Sequence, residues 1–225
     1  MVTKVKNPSP QMRGLPSRQE IHQRLLSAER DISTWLIPGE PYRTYDLDFE
    51  NIFEERFLEA GPWTIGSTEG YDLELCRWGY RFRNKKKGSQ FTFLEKKVDP
   101  ARPWGVEMDI QAVEVSPGAL FGILFGLDKA TNDQMIFVIN PINRVFYVSK
   151  HEKKMWGHLA RREFTPAVGD WHTTLRVDQV EGYWQYFVDE WLVYCHPAET
   201  LPGLGFGIII SHPATIDISR LKVQW

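Results

Sequence analysis

Long apolar runs, cysteines and an excess of one charge are all scarce in this 225-residue sequence, and each scarcity removes a class of protein. The longest apolar run, Gly118 to Leu127, is too short and too glycine-rich to cross a bilayer as a helix. Residues Met1 to Gly14 hold no apolar core of a secretory leader. Two cysteines, Cys76 and Cys195, make no disulfide framework, with one bridge left open, and the Asn-x-Ser match at Asn7 is spoiled by Pro8. Together these features set the expectation of a cytoplasmic protein that does not enter membranes. A formal net charge of −2 offers no overall attraction to nucleic acid or anionic lipid. Catalytic motifs are missing too. His151-Glu152 starts like a zinc-binding helix, but Met155 stands where the second His belongs, and no Gly-x-Ser-x-Gly elbow, phosphate loop or Cys-x-x-Cys occurs. Gly203-Leu-Gly205-Phe-Gly207 lacks the spacing of a dinucleotide loop. No cofactor or metal is expected, apart from a polar loop at Asp128, Asn132 and Asp133 whose oxygens suit either a plain turn or Ca²⁺.

What is present is aromatic and strand-like. Nine Trp, eight Tyr and thirteen Phe fit pleated strands, where such rings pack well, and also fit a sugar-binding surface. From Gly169 to Trp225 short apolar or alternating runs follow one another with no helix between: Trp171 to Val177, Tyr183 to Val188, a two-residue Asp189-Glu190 turn, Trp191 to Tyr194, Phe206 to Ser211 and Thr215 to Val223. Earlier strands are expected at Tyr71 to Arg77, Gly79 to Arg83, Ser89 to Glu95, Val106 to Val115, Ala119 to Leu127, Gln134 to Ile139 and Arg144 to Ser149, with Lys150 to His158 a polar loop. Ten to twelve short strands without helices predict an all-β, two-sheet antiparallel sandwich over residues 54–225. Residues 1–53 read as a flexible arm followed by a helix from Ser17 to about Leu36, opened by the capping box Ser17-x-x-Glu20. Its apolar stripe, Ile21, Leu25, Ala28, Ile32 and Leu36, needs a cover, and three are open: its own domain, a protein partner bound through Ile21, Leu25, Ile32 and Trp35, or a second copy making a homo-oligomer.

The order of elements from Glu54 onward resembles the concanavalin A-like lectin/glucanase jelly rolls, which include laminin-G-type modules. The resemblance rests on Trp63-Thr-Ile-Gly66, the Gly79-Tyr80 hairpin, the Val106 to Ala112 strand, Gly122 to Gly126 followed by Met135-Ile-Phe-Val-Ile139, Trp171 to Val177, Tyr186 to Val193, and the closing Gly205-Phe-Gly207 and Ile216 to Val223 segments. It covers about three quarters of the chain and implies a jelly roll with a glycan or protein partner on one sheet or its rim.

Alternation on Val106 to Ala112 puts Glu107, Asp109 and Gln111 on one strand face. Laminarinase-like members of the superfamily carry Glu, Asp and Glu there, as nucleophile, support and acid/base. Gln111 holds the third position here and cannot cycle a proton, so a glycoside hydrolase using Glu107 and Asp109 is the alternative to a non-catalytic recognition module that binds a protein partner within an intracellular assembly or a glycan. Ligand-binding residues are expected at Glu107, Asp109, Gln111, Trp156 and His158, with Trp156 an exposed ring suited to stacking. Gly118, Gly122 and Gly126 predict a trough along one strand face. The basic run around Lys85-Lys86-Lys87 makes a charged hairpin tip, with Arg81 and Arg83 on the face opposite Tyr80 and Phe82, which argues against a nucleic-acid platform.

Overall fold

The computed structural model describes residues 49–225 except 60, 100, 101, 170 and 181. The arm and the Ser17–Leu36 helix, with Ile21, Leu25, Ile32 and Trp35, lie outside the described residues. Among those described, the chain forms fifteen strands: β1 (Ile52–Glu55), β2 (Gly66–Ser67), β3 (Tyr71–Cys76), β4 (Gly79–Asn84), β5 (Ser89–Glu95), β6 (Trp104–Val115), β7 (Leu120–Leu127), β8 (Gln134–Asn140), β9 (Val145–Glu152), β10 (Met155–Phe164), β11 (His172–Val180), β12 (Tyr183–Val188), β13 (Trp191–Pro197), β14 (Gly205–Ser211) and β15 (Ala214–Gln224). They assemble into two antiparallel sheets. The larger has nine strands in the order β13-β12-β11-β6-β15-β4-β3-β2, with β1 also beside β15, and the smaller has six in the order β10-β9-β8-β7-β14-β5.

Alternation decides what each strand buries. On β6, Trp104, Val106, Met108 and Ile110 are at most 1% exposed and join one core with Phe121, Ile123 and Phe125 of β7, Trp184 and Tyr186 of β12, and Phe206, Ile208 and Ile210 of β14. Trp104 lies at the centre, with ring centroids 5.8 Å from Phe125, 5.8 Å from Phe206 and 6.1 Å from Trp184, so three strand systems interlock through edge-on and tilted rings. Both indole N–H groups, of Trp104 and Trp184, donate to Gln179 Oε1, which removes the cost of burying them unpaired.

Two expectations change, and one open question closes. The Lys150–His158 stretch is not a loop but a hairpin, since β9 runs to Glu152 and β10 begins at Met155. Its turn residues Lys153 and Lys154 both have positive φ, 52° and 67°, the conformation of a tight two-residue turn that Asn-Gly signals and Lys-Lys does not. The glycine trough is filled. Gly118 precedes β7, a Cβ on Gly122 would lie 2.3 Å from the Phe137 carbonyl oxygen, and Gly126 (φ +64°) sits where the β7–β14 register slips, against Leu201 and Pro202. Cys76 and Cys195 are free, one on β3 and the other on β13, near opposite edges of the large sheet. No helix among the described residues is long and apolar enough to cross a membrane.

Candidate functional site

Glu107, Asp109 and Gln111 point away from the core, on the middle strand of the large sheet, between β11 and β15. Register brings polar residues of both neighbours beside them. Across β11, Gln111 pairs with His172, Asp109 with Thr174, Glu107 with Arg176 and Gly105 with Asp178. Across β15, Gln111 pairs with Asp217, Asp109 with Arg220 and Glu107 with Lys222.

Arg220 organises the centre. Its Nε donates to Asp109 Oδ2 at 2.8 Å and its Nη2 donates to Glu107 Oε1, so one guanidinium bridges both carboxylates, while Thr174 Oγ1 donates to Asp109 Oδ1 at 2.8 Å. Burial pushes the Asp109 carboxyl up, but the hydrogen bonds from Arg220 and Thr174 and the nearby positive charge outweigh it and hold the group below the ordinary carboxylate range. The Glu107, Asp109 and Arg220 side chains keep 18%, 19% and 29% of their surface, enough for a ligand to touch. One end of the row continues to Asp217, whose carboxylate takes two parallel bonds from Arg81 at 2.7 and 2.8 Å.

At the other end Arg176 lies with its guanidinium carbon 4.1 Å from the Phe187 ring centroid, its Nη1 4.0 Å from Glu107 Oε2 and its Nε 3.1 Å from Asp178 Oδ2. That last contact is close but poorly aligned, and Arg176 Nε and Nη2 and Asp178 Oδ1 are buried without a hydrogen-bond partner. Burial pushes the Asp178 carboxyl up to about 6. Gly105 permits this packing, because a Cβ there would stand 2.6 Å from Asp178 Oδ1. Trp171, 53% exposed, precedes β11 near Gln111, and its carbonyl accepts from the Ala112 N–H.

Trp156 and His158 are elsewhere. They lie on β10, at one edge of the small sheet, and line a groove on that sheet's outer face with Tyr147, Ser149, Ile136, Val138, Ile209 and Leu120. Trp156 is 45% exposed with its ring centroid 5.0 Å from that of His151, and His158 Nδ1 is hydrogen-bonded to Ser149 Oγ at 2.8 Å. One small ligand therefore cannot touch both halves of the expected binding set, which occupy the outer faces of different sheets.

Sequence reasoning missed Thr174, Arg176, Asp178 and Arg220. The first three alternate with the core residues Leu175 and Val177, a visible pattern whose partner strand was not. Arg220 was hidden by a bulge: Ile218 pairs with Ile110 and Arg220 with Asp109, so Ser219 is extruded and the in–out parity of β15 reverses after it. Among the described residues no group of three His, Cys, Asp or Glu could hold a metal ion. At the Asp128 loop, Asp128 Oδ1 accepts from the Ala130 N–H and Asp133 Oδ1 from the Lys153 N–H, so these carboxylates close the turn and tie it to the neighbouring hairpin.

No protein-family model and no curated protein sequence matches this chain. Solved structures do match. A protein of unknown function with a galectin-like fold from Bacillus subtilis superposes with a TM-score of 0.55 at 10% identity, covering 76% of this chain and 94% of that one. The carbohydrate-binding module CBM66 from Bacillus subtilis gives 0.53 at 16% identity, covering 70% of this chain and 94% of that one. A xylan β-1,4-xylosidase from Bacillus halodurans gives 0.53 at 9% identity over 84% of this chain and 41% of its own length. At such identities the likeness is one of fold alone, two antiparallel sheets closed face to face as in the galectin-like sandwich.

Proposed function

We propose that the protein is a non-catalytic carbohydrate-recognition module whose ligand lies on the outer face of the large sheet, along Glu107, Asp109, Gln111 and Arg220. The observation that carries this reading is the Arg220 bridge, because a guanidinium shared by two carboxylates fixes all three groups as hydrogen-bonding partners. Sugar hydroxyls, each donor and acceptor, suit such a mixed row. The match to a carbohydrate-binding module supports the same class of ligand.

Retaining hydrolysis needs a second carboxyl about 5 Å from the nucleophile, able to give up and recover a proton. Gln111 cannot serve. Asp178 has the raised pKa of an acid, but the residue is 6% exposed and packed over Gly105, out of reach of a leaving group.

A glycan array probed with the full chain, followed by titration calorimetry on the best ligand, tests the assignment. Binding that falls about tenfold or more in Glu107→Gln and Arg220→Met, with no release of reducing ends, is the expected result. Reducing-end release by the wild type that is abolished in Glu107→Gln would establish the hydrolase instead.

A further inference from the structure

The outer face of the small sheet differs from an ordinary solvent-facing surface. Leu124, Val138 and Ile209 point away from the core on β7, β8 and β14, yet with Leu127 they form a second apolar cluster in which every member is at most 2% exposed, flanked by Leu120, Ile136, Tyr147 and Phe93. Over this cluster runs the groove of about 160 Å³, floored by Leu120, Ile136, Val138 and Ile209 and walled by Tyr147 and Trp156. Its volume is below the ~300 Å³ where pockets for free organic ligands begin, and its few polar groups include Ser149 and His158, which are bonded to one another. The groove suits a row of aliphatic side chains.

We infer that this groove is the seat of the chain's own Ser17–Leu36 segment, whose apolar stripe fits it in length, chemistry and reach. The lining residues come from all six strands, from Ser89 on β5 to Trp156 on β10, and five inter-strand spacings of about 4.8 Å make a path of roughly 24 Å. A helix from Ile21 to Leu36 is about 22 Å long and presents Ile21, Leu25, Ala28, Ile32 and Leu36 along one side. The fifteen residues from Ile37 to Asn51 precede β1 and reach up to about 50 Å when extended. The sheets stack about 10 Å apart, so a chain leaving β1 can round the sandwich edge and arrive over the small sheet with length to spare. The large sheet's outer face is the poorer seat for such a stripe, because Arg81, Glu107, Asp109 and Arg220 would lose water against it.

Trypsin supplies the test, since Arg24-Leu25 lies within the stripe. In the full chain the seat predicts slow cleavage after Arg24, independent of protein concentration, accelerated about tenfold in Trp156→Ala and in Leu120→Lys, and restored by Trp156→Phe, because cleavage follows the open population of the docked segment. Exposed Trp78→Ala serves as the control, and thermal unfolding verifies that each variant retains its core. Rapid cleavage in the wild type, or slow cleavage that the groove variants leave unchanged, overturns the assignment. Protection that grows with concentration, together with a dimer by light scattering, overturns it in favour of a second copy as the occupant.

Discussion

On β6 the outward row reads Glu107, Asp109, Gln111, and on β7 it reads Leu120, Gly122, Leu124; both strands occupy inner positions of their sheets and both bury the opposite row in the same core. The two rows teach that pointing outward and facing water are separate properties. On the large sheet the outward side chains are covered by one another: Arg220 lies on Glu107 and Asp109, and Arg176 lies between Phe187 and Asp178. Such half-buried pairs exchange hydration for Coulomb attraction at little net gain, and their value is a fixed pattern of donors and acceptors. On the small sheet, outward apolar surface is stabilising only when something covers it.

The sharpest break in this comparison is expected from a carboxylate placed in each row. Leu124→Asp buries an unpaired charge beside Val138 and Ile209 and should cost about 4–5 kcal/mol in urea unfolding, whereas Gln111→Asp, at an exposed position, should cost under about 1 kcal/mol. Next comes Asp178. Its folded pKa of about 6 exceeds the ordinary 3.8, so the native state holds a proton that the unfolded chain releases between these values. Stability from this group is therefore present below about pH 4 and lost as pH rises through 6, leaving a penalty of about 3 kcal/mol at pH 7. Asp178→Asn should abolish this pH dependence, narrowing the difference between the denaturant midpoints at pH 4 and pH 7 relative to the wild type.

Arg220→Met should remove about 2 kcal/mol at pH 7 by leaving Glu107 and Asp109 as adjacent like charges, and the loss should shrink as pH falls and the lowered Asp109 carboxyl takes up its proton. The smallest effect belongs to the opposite face. Trp156→Ala, at a half-exposed ring, should lower the unfolding free energy by about 1.4 kcal/mol, the equivalent of a tenfold change in the docked population, and leave binding of any glycan on the large sheet unaltered in calorimetry, because the two faces share no contact.

Much of the fold was legible because alternation is a local property: the inward and outward rows of β6, and the separation of Arg81 and Arg83 from the buried Tyr80 and Phe82, follow from pleating alone. Strand β10 was not, since its Lys153-Lys154 turn lacks the usual turn residues and Arg161, Arg162 and Glu163 mask its pattern. Charges and bulges of this kind are what an edge strand needs to refuse further pairing. Within the candidate site, Glu107, Asp109 and Gln111 could be read from one strand, but their partners could not.

By itself, then, the sequence determined the all-β character of residues 54–225, the polar face of β6 and an amide in place of a third carboxyl at Gln111, because each depends on neighbours two residues away. Only the tertiary structure decided that Arg220, more than a hundred residues from Asp109 along the chain, holds both acids, and that Trp156 and His158 belong to the other sheet. Cross-strand register and a single extruded residue at Ser219 settle those pairings, and both are fixed by how two whole sheets close over a shared core.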